Sequence, residues 1–196
     1  MKLATKAVVV AISAALTSGY AHAQNTTATV ERDAKQQERI EQGLQSGQLT
    51  TREAASLEKQ ETKVETMQKN ALKDGTLTPA EQARIDKAQN KVSADIYKDK
   101  HNARVGNPNS ASSKRMQADV QRNANQQARI AQGAASGQLT NREVAGLERG
   151  QSQVTAREAH AGADGRVGPV EQANIQAAEN RKSAHIYDKK HNTIAK

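Results

Sequence analysis

The chain has no cysteine, no phenylalanine and no tryptophan. Its 196 residues include three prolines and three tyrosines, and aromatics make up 2%. Without cysteine there can be no disulfide, iron–sulfur cluster, zinc–thiolate site or cysteine nucleophile. So few prolines and aromatics argue against a sandwich or barrel of many short strands. Hydrophobic residues reach only 35%, against about 45–50% in an ordinary soluble domain, so any core must be thin. What remains is rich in Ala, Gln, Glu, Lys and Arg, all good helix formers. These residues predict an all-α protein.

The first 23 residues read as an export signal. Lys2 and Lys6 precede an apolar run, Ala7–Leu16, and Ala21-His22-Ala23 supplies the small residues of a cleavage site. The run is shorter than the roughly 20 apolar residues of a transmembrane helix. Cleavage is expected between Ala23 and Gln24, which makes the mature protein periplasmic or secreted, with no transmembrane segment.

The rest of the chain says the same thing twice. Ser46-Gly47-Gln48-Leu49-Thr50 returns 90 residues later as Ser136-Gly137-Gln138-Leu139-Thr140. At the same offset Gln36-Gln37-x-Arg39-Ile40 matches Gln126-Gln127-x-Arg129-Ile130, and Asp74-Gly75 matches Asp164-Gly165. So does Ser93-Ala94-x-Ile96-Tyr97-x-x-Lys100-His101-Asn102, with Ser183-Ala184-x-Ile186-Tyr187-x-x-Lys190-His191-Asn192. Between Val30 and Asn102 about half the positions are identical without a gap. The reading is a unit at 24–102, a Gly/Asn/Ser-rich linker at 103–113 and a second unit at 114–196.

Thr50-x-x-Glu53, Thr78-x-x-Glu81 and Thr140-x-x-Glu143 are capping boxes, in which a Thr hydroxyl and a Glu carboxylate satisfy each other's backbone donors. Pro79 and Pro169 suit the first helical position. The fourth turn has Gly168 in place of the hydroxyl. With the apolar spacing, these signals predict helices near 28–44, 51–72, 79–101, 114–134, 141–161 and 169–191. Each unit then reads as an up-down-up three-helix bundle able to fold alone, with its carboxylates in caps or on solvated faces.

Two constellations could carry chemistry. Asp74 with Glu81, and Asp164 with Glu171, stand at the spacing of the second half of an EF-hand loop. The positions that should add oxygen ligands include Leu72 and Gly162, and Lys73 and Arg166 add positive charge. The turns are therefore read first as helix caps, with Ca²⁺ or a transition metal as the alternative and no other cofactor implied. Tyr97, Lys100 and His101, with Tyr187, Lys190 and His191, form a second repeated patch. Tyr and His are four apart and so share a helix face. Its plainer reading has the tyrosine closing the bundle end and the cations complementing the helix dipole. No nucleophile elbow, zincin motif, P-loop or dinucleotide fingerprint is present. The +8 charge is interspersed with acids and lacks stacking aromatics, which points away from nucleic acid.

The Gln-Gln-x-Arg-Ile, Ser-Gly-x-Leu-Thr-x-x-Glu and Ile-Tyr-x-x-Lys-His-Asn segments resemble a family of small exported bacterial helical proteins. The resemblance covers both repeats and implies export and helices; it carries over no binding residue. The second copy departs at Gly162, Ala163 and Gly168, where a looser turn is expected. The function expected from all this is non-enzymatic binding or protection in the cell envelope, toward an envelope protein or an anionic surface, in an oligomeric state the sequence leaves open. The alternative is divalent-cation binding through the Asp-Gly turns.

Overall fold

The computed structural model describes residues 14–192. The start of the expected export signal, residues 1–13, lies outside them. Among the described residues there are six helices and no strand: α1 (Ala14–Ser46), α2 (Thr51–Leu72), α3 (Pro79–Lys100), α4 (Ala111–Ala135), α5 (Asn141–Ala161) and α6 (Pro169–Lys190). None is long and apolar enough to cross a membrane.

The capping chemistry is as read. Thr50, Thr78 and Thr140 each accept the backbone N–H of the Glu three residues on, and that Glu accepts the Thr N–H in return, at 3.0–3.3 Å for Thr78 and Thr140 and 3.0–3.2 Å for Thr50. Gly168 can make only half of the box, giving its N–H to Glu171 Oε2 at 2.8 Å. Each turn within a unit is closed by a glycine with positive φ, among them Gly47 at 75° and Gly137 at 71°, where a side chain would be strained.

The helices do not pair as two separate bundles. The principal partner of α2 is α5, and that of α1 is α4, while α3 and α6 lie outside against their own unit. The α2–α5 pair is antiparallel: Gly162 at the end of α5 meets Ala55 at the start of α2, and Gly75 beyond α2 meets Arg142 at the start of α5. Two equivalent hydrogen bonds tie the units reciprocally, Arg52 Nη2 to the Asp164 carbonyl at 2.8 Å and Arg142 Nη2 to the Asp74 carbonyl at 3.0 Å. One continuous core runs through both units, from Val30, Ile40, Leu44 and Leu57 to Ile130, Leu147, Ile175 and Ile186. The physical reason is the thinness of each unit's apolar stripe. A three-helix unit of this composition cannot cover its own seam, so it buries that seam against its repeat.

Two local readings change with this. The second copy's Gly162 does not loosen the turn. A Cβ there would lie 2.8 Å from that of Ala55, so glycine is what lets α5 approach α2. The 103–113 stretch is also anchored: Gly106 N–H donates to the Gly47 carbonyl at 2.8 Å, Arg104 reaches Glu53 at 3.2 Å, and Ser110 already caps α4.

Thr140→Ala should lower stability by about 1 kcal/mol, seen as a melting temperature several degrees lower, whereas Gly168→Ser should raise it by a few tenths. A fragment of residues 24–110 should not be a compact monomer. With α4 and α5 removed, a second copy should take their place, and analytical ultracentrifugation should show a dimer. A cooperatively melting monomer would mean that the units are independent.

Candidate functional site

The repeated motifs have two structural destinations. The first is the interior. Gln36 donates to the Gln89 carbonyl in α3 at 2.7 Å, and Gln126 donates to the Glu179 carbonyl in α6 at 3.0 Å. The neighbouring Gln37 donates to Glu58 in α2 at 2.9 Å, and Gln127 to Glu148 in α5 at 3.2 Å. Arg39 and Arg129 clamp the hydroxyls of Ser93 and Ser183 at 2.6 and 2.7 Å. The Gln-Gln-x-Arg-Ile motif is therefore a device for holding the first helix of a unit to the other two.

These glutamines line a buried layer of carboxyls. Asp33, Glu58, Glu61, Glu65, Asp119, Glu148, Glu158 and Glu179 are all buried. This corrects the expectation that the carboxylates sit in caps and on solvated faces. The layer crosses from unit to unit: Glu65 Oε1 accepts from Gln127 at 3.2 Å and from the Thr155 hydroxyl at 3.0 Å. Asn123 donates to Glu158 at 2.5 Å, and Asp33 accepts from Gln68 and Gln89.

Burial pushes these acids upward. Asp33 and Asp119 rise to about 7, and Glu58, Glu148 and Glu179 to about 8. Burial and then neighbouring carboxyls hold Glu61, Glu65 and Glu158 well above the usual range. Among the described residues the buried cation is Lys182, in the position of Val92 in the first unit. Burial lowers it to about 8 against the pull of Glu148 and Glu65, and its ammonium group donates to the Leu147 carbonyl.

The second destination is the surface. Tyr97 stacks on His101 with ring centroids 4.2 Å apart, and Tyr187 on His191 at 4.1 Å. Ile96 and Ile186 beside them are fully buried, yet Tyr97 is 63% exposed and Tyr187 57%. The tyrosines do not close the bundle. The rest of the motif anchors them. Each His Nδ1 lies against its own Tyr carbonyl at 2.7–2.8 Å. Lys100 donates to the Arg39 carbonyl at 3.4 Å, and Lys190 donates to Gln132 at 3.0 Å. Asn102 reaches Glu53 at 2.7 Å, and Asn192 reaches Glu143 at 2.5 Å.

That anchoring places the two pairs at opposite ends. The end of α3 is tied to the start of α2 and the end of α6 to the start of α5, and α2 runs antiparallel to α5. The separation is of the order of the helix length, about 33 Å for the 22 residues of α2.

The Asp-Gly turns hold their acids in local bonds. Asp74 accepts from the Thr76 N–H at 2.9 Å and Asp164 from the Arg166 N–H at 2.7 Å, while Glu81 and Glu171 serve the helix starts. Arg142 and Arg52 lie across these turns from the other unit. Among the described residues, no group of three or more His, Asp and Glu is placed to hold a metal ion.

No protein family, curated protein or solved structure matches the chain.

The two neighbours in Ile96-Tyr97 should behave oppositely. Ile96→Ala should cost roughly 2–5 kcal/mol, as a buried truncation does. Tyr97→Ala should change stability by about 0.5 kcal/mol or less, as an exposed residue does. Chemical denaturation of the two variants checks this.

Proposed function

We propose that the chain is an exported, non-enzymatic helical protein of the cell envelope, built from two copies of one unit, that binds an anionic envelope surface through its repeated Tyr–His–Lys patches. The observation that carries this reading is the exposure of Tyr97 and Tyr187. Beyond residue 23 these are the only aromatics, they are repeat-equivalent, and both face solvent beside buried isoleucines. An exposed aromatic stacked on a histidine, next to helix-terminal lysines, suits a surface that offers negative charge with some apolar depth. Lys98 and Lys100 occupy the last turn of α3, and Lys189 and Lys190 that of α6.

Two patches at opposite ends make the binder bivalent. A molecule of this shape can link two surfaces, and the second contact then forms at high effective concentration.

The test uses the mature chain with vesicles of anionic lipid and, in parallel, of zwitterionic lipid. The protein should sediment with the anionic vesicles and clump them, with the effect weakening as salt rises. Tyr97→Ala or Tyr187→Ala alone should keep binding but lose clumping. The double variant should lose affinity roughly tenfold, equivalent to about 1.4 kcal/mol. Equal binding to both kinds of vesicle, or clumping unaltered in the double variant, would overturn the reading.

A further inference from the structure

The buried layer between the two units is short of hydrogen-bond donors. The amide groups of Gln37, Gln68, Gln89, Gln127 and Gln151 each donate to a neighbour, and each leaves its amide oxygen without a donor. Opposite them Glu58, Glu65, Glu148 and Glu158 each carry one carboxyl oxygen in the same condition. Glu61, at 0% exposure, carries two. Buried polar groups in folded proteins are almost always paired, so so many orphaned acceptors in one layer call for donors.

Protons on the carboxyls supply them. In the Gln37–Glu58 and Gln127–Glu148 pairs, one N–H···O bond already joins the two side chains, and both the amide oxygen and the other carboxyl oxygen lack a donor. A carboxylic acid there can return an O–H to the amide oxygen. An ionised carboxylate only adds another acceptor.

Charge leads to the same place. Around Glu61 and Glu65 stand Asp33 and Arg32 from α1, Glu58 from α2 and Glu148 from α5. Glu158 in α5 faces Glu58, Glu65, Asp119 of α4 and Glu179 of α6, and α3 adds the neutral Gln89. Against these acids stand Lys182 of α6, Arg32 of α1 beside Asp33 and Glu61 and, at the edge, Arg122 of α4, 3.5 Å from Glu179. Ionised together, the acids would be mostly uncompensated in a desolvated interior.

We propose that this layer is a proton-binding latch between the two units: its carboxyls are held as acids in the closed molecule, and loss of those protons parts α2 from α5. It concerns the interior and is independent of the Tyr–His patches. The sign follows from linkage. Acids raised in the folded state bind protons that the unfolded chain releases near pH 4. Their stabilisation is complete below that pH and is lost as pH climbs through about 7–8. Lys182 acts the other way between about 8 and its ordinary value, one group against several acids.

The test measures the full mature chain from pH 5 to pH 10. Stability should be greatest near pH 5 and should fall as pH rises to about 8, with the loss of several protons per molecule. Infrared spectra at pH 6 should retain a protonated-carboxyl band that exposed acids, ionised at that pH, do not give. Glu61→Gln and Glu58→Gln imitate the protonated form. Each should leave stability at pH 5 nearly unchanged, move the alkaline midpoint upward and reduce the protons released, while the exposed Glu31→Gln should move nothing. Should Glu61→Gln not fold, Glu58→Gln and the infrared band of the unaltered chain still decide. Absence of that band at pH 6, or an alkaline midpoint unmoved by the substitutions that fold, would overturn the proposal.

Discussion

The structure depends on how buried carboxyls are kept neutral. A chain with 35% hydrophobic residues lacks the apolar surface to fill a seam between four helices. It fills part of that seam with glutamines and acids, and an acid is tolerable there only when protonated or hydrogen-bonded. The cross-unit pairing follows from this. Polar layers are directional, so α2 meets α5 and α4 in the register that brings Thr155 and Gln127 to Glu65, and a slipped register would leave those groups unmatched. The aliphatic layers above and below, with Leu57 and Leu147 among them, supply the hydrophobic gain.

The two units share a plan but divide the polar layer unequally. Glu61 and Glu65 of α2 are answered in α5 by Gln151 and Thr155, and Gln68 by Glu158. In α1 and α4, Asp33 is answered by Asn123 and Thr29 by Asp119. Where one copy has an acid, the other often has an amide or hydroxyl. That exchange limits how many like charges meet at the seam, and it provides the donors that Glu65 and Glu158 accept from. Val92 and Lys182 differ in the same spirit, since the buried ammonium of Lys182 lies on the side where Glu148 and Glu65 draw on it.

Helix positions were legible because capping is local. Thr50 with Glu53 and Thr140 with Glu143 announce their helix starts in four residues, and five of the six helices both begin and end within three residues of the expected place. The first helix begins earlier because nothing in the Ala-rich stretch before residue 28 stops it. Helix partners were not legible. A near-heptad stripe says that a helix buries one face but not which helix covers it, and a repeat with a short connection fits two bundles as well as one interlocked one. The acids were missed for a related reason. Glu58, Glu61 and Glu65 fall on the same seam as Leu57 and Val64, yet hydropathy counts them as surface. Their spacing of three and four, in step with the apolar residues, was the available signal.

The tyrosines show the converse. Composition makes a rare aromatic look like a core residue, and Tyr97 directly follows the buried Ile96. Helix geometry separates them, because neighbours in a helix point about 100° apart. Ile96 and Ile85 look inward, with Val92 between them, so the residue after Ile96 must look out. His101 one turn on then covers the ring from the same face, and Asn102 bonded to Glu53 keeps the last turn of α3 from fraying. The interior acids and the exposed aromatics are thus two outcomes of one constraint. A chain with little apolar material spends its aliphatic residues on the seams and completes those seams with protonated acids and amides. The rings of Tyr97 and Tyr187 stand outside, on helix ends that the same repeated motif holds in place.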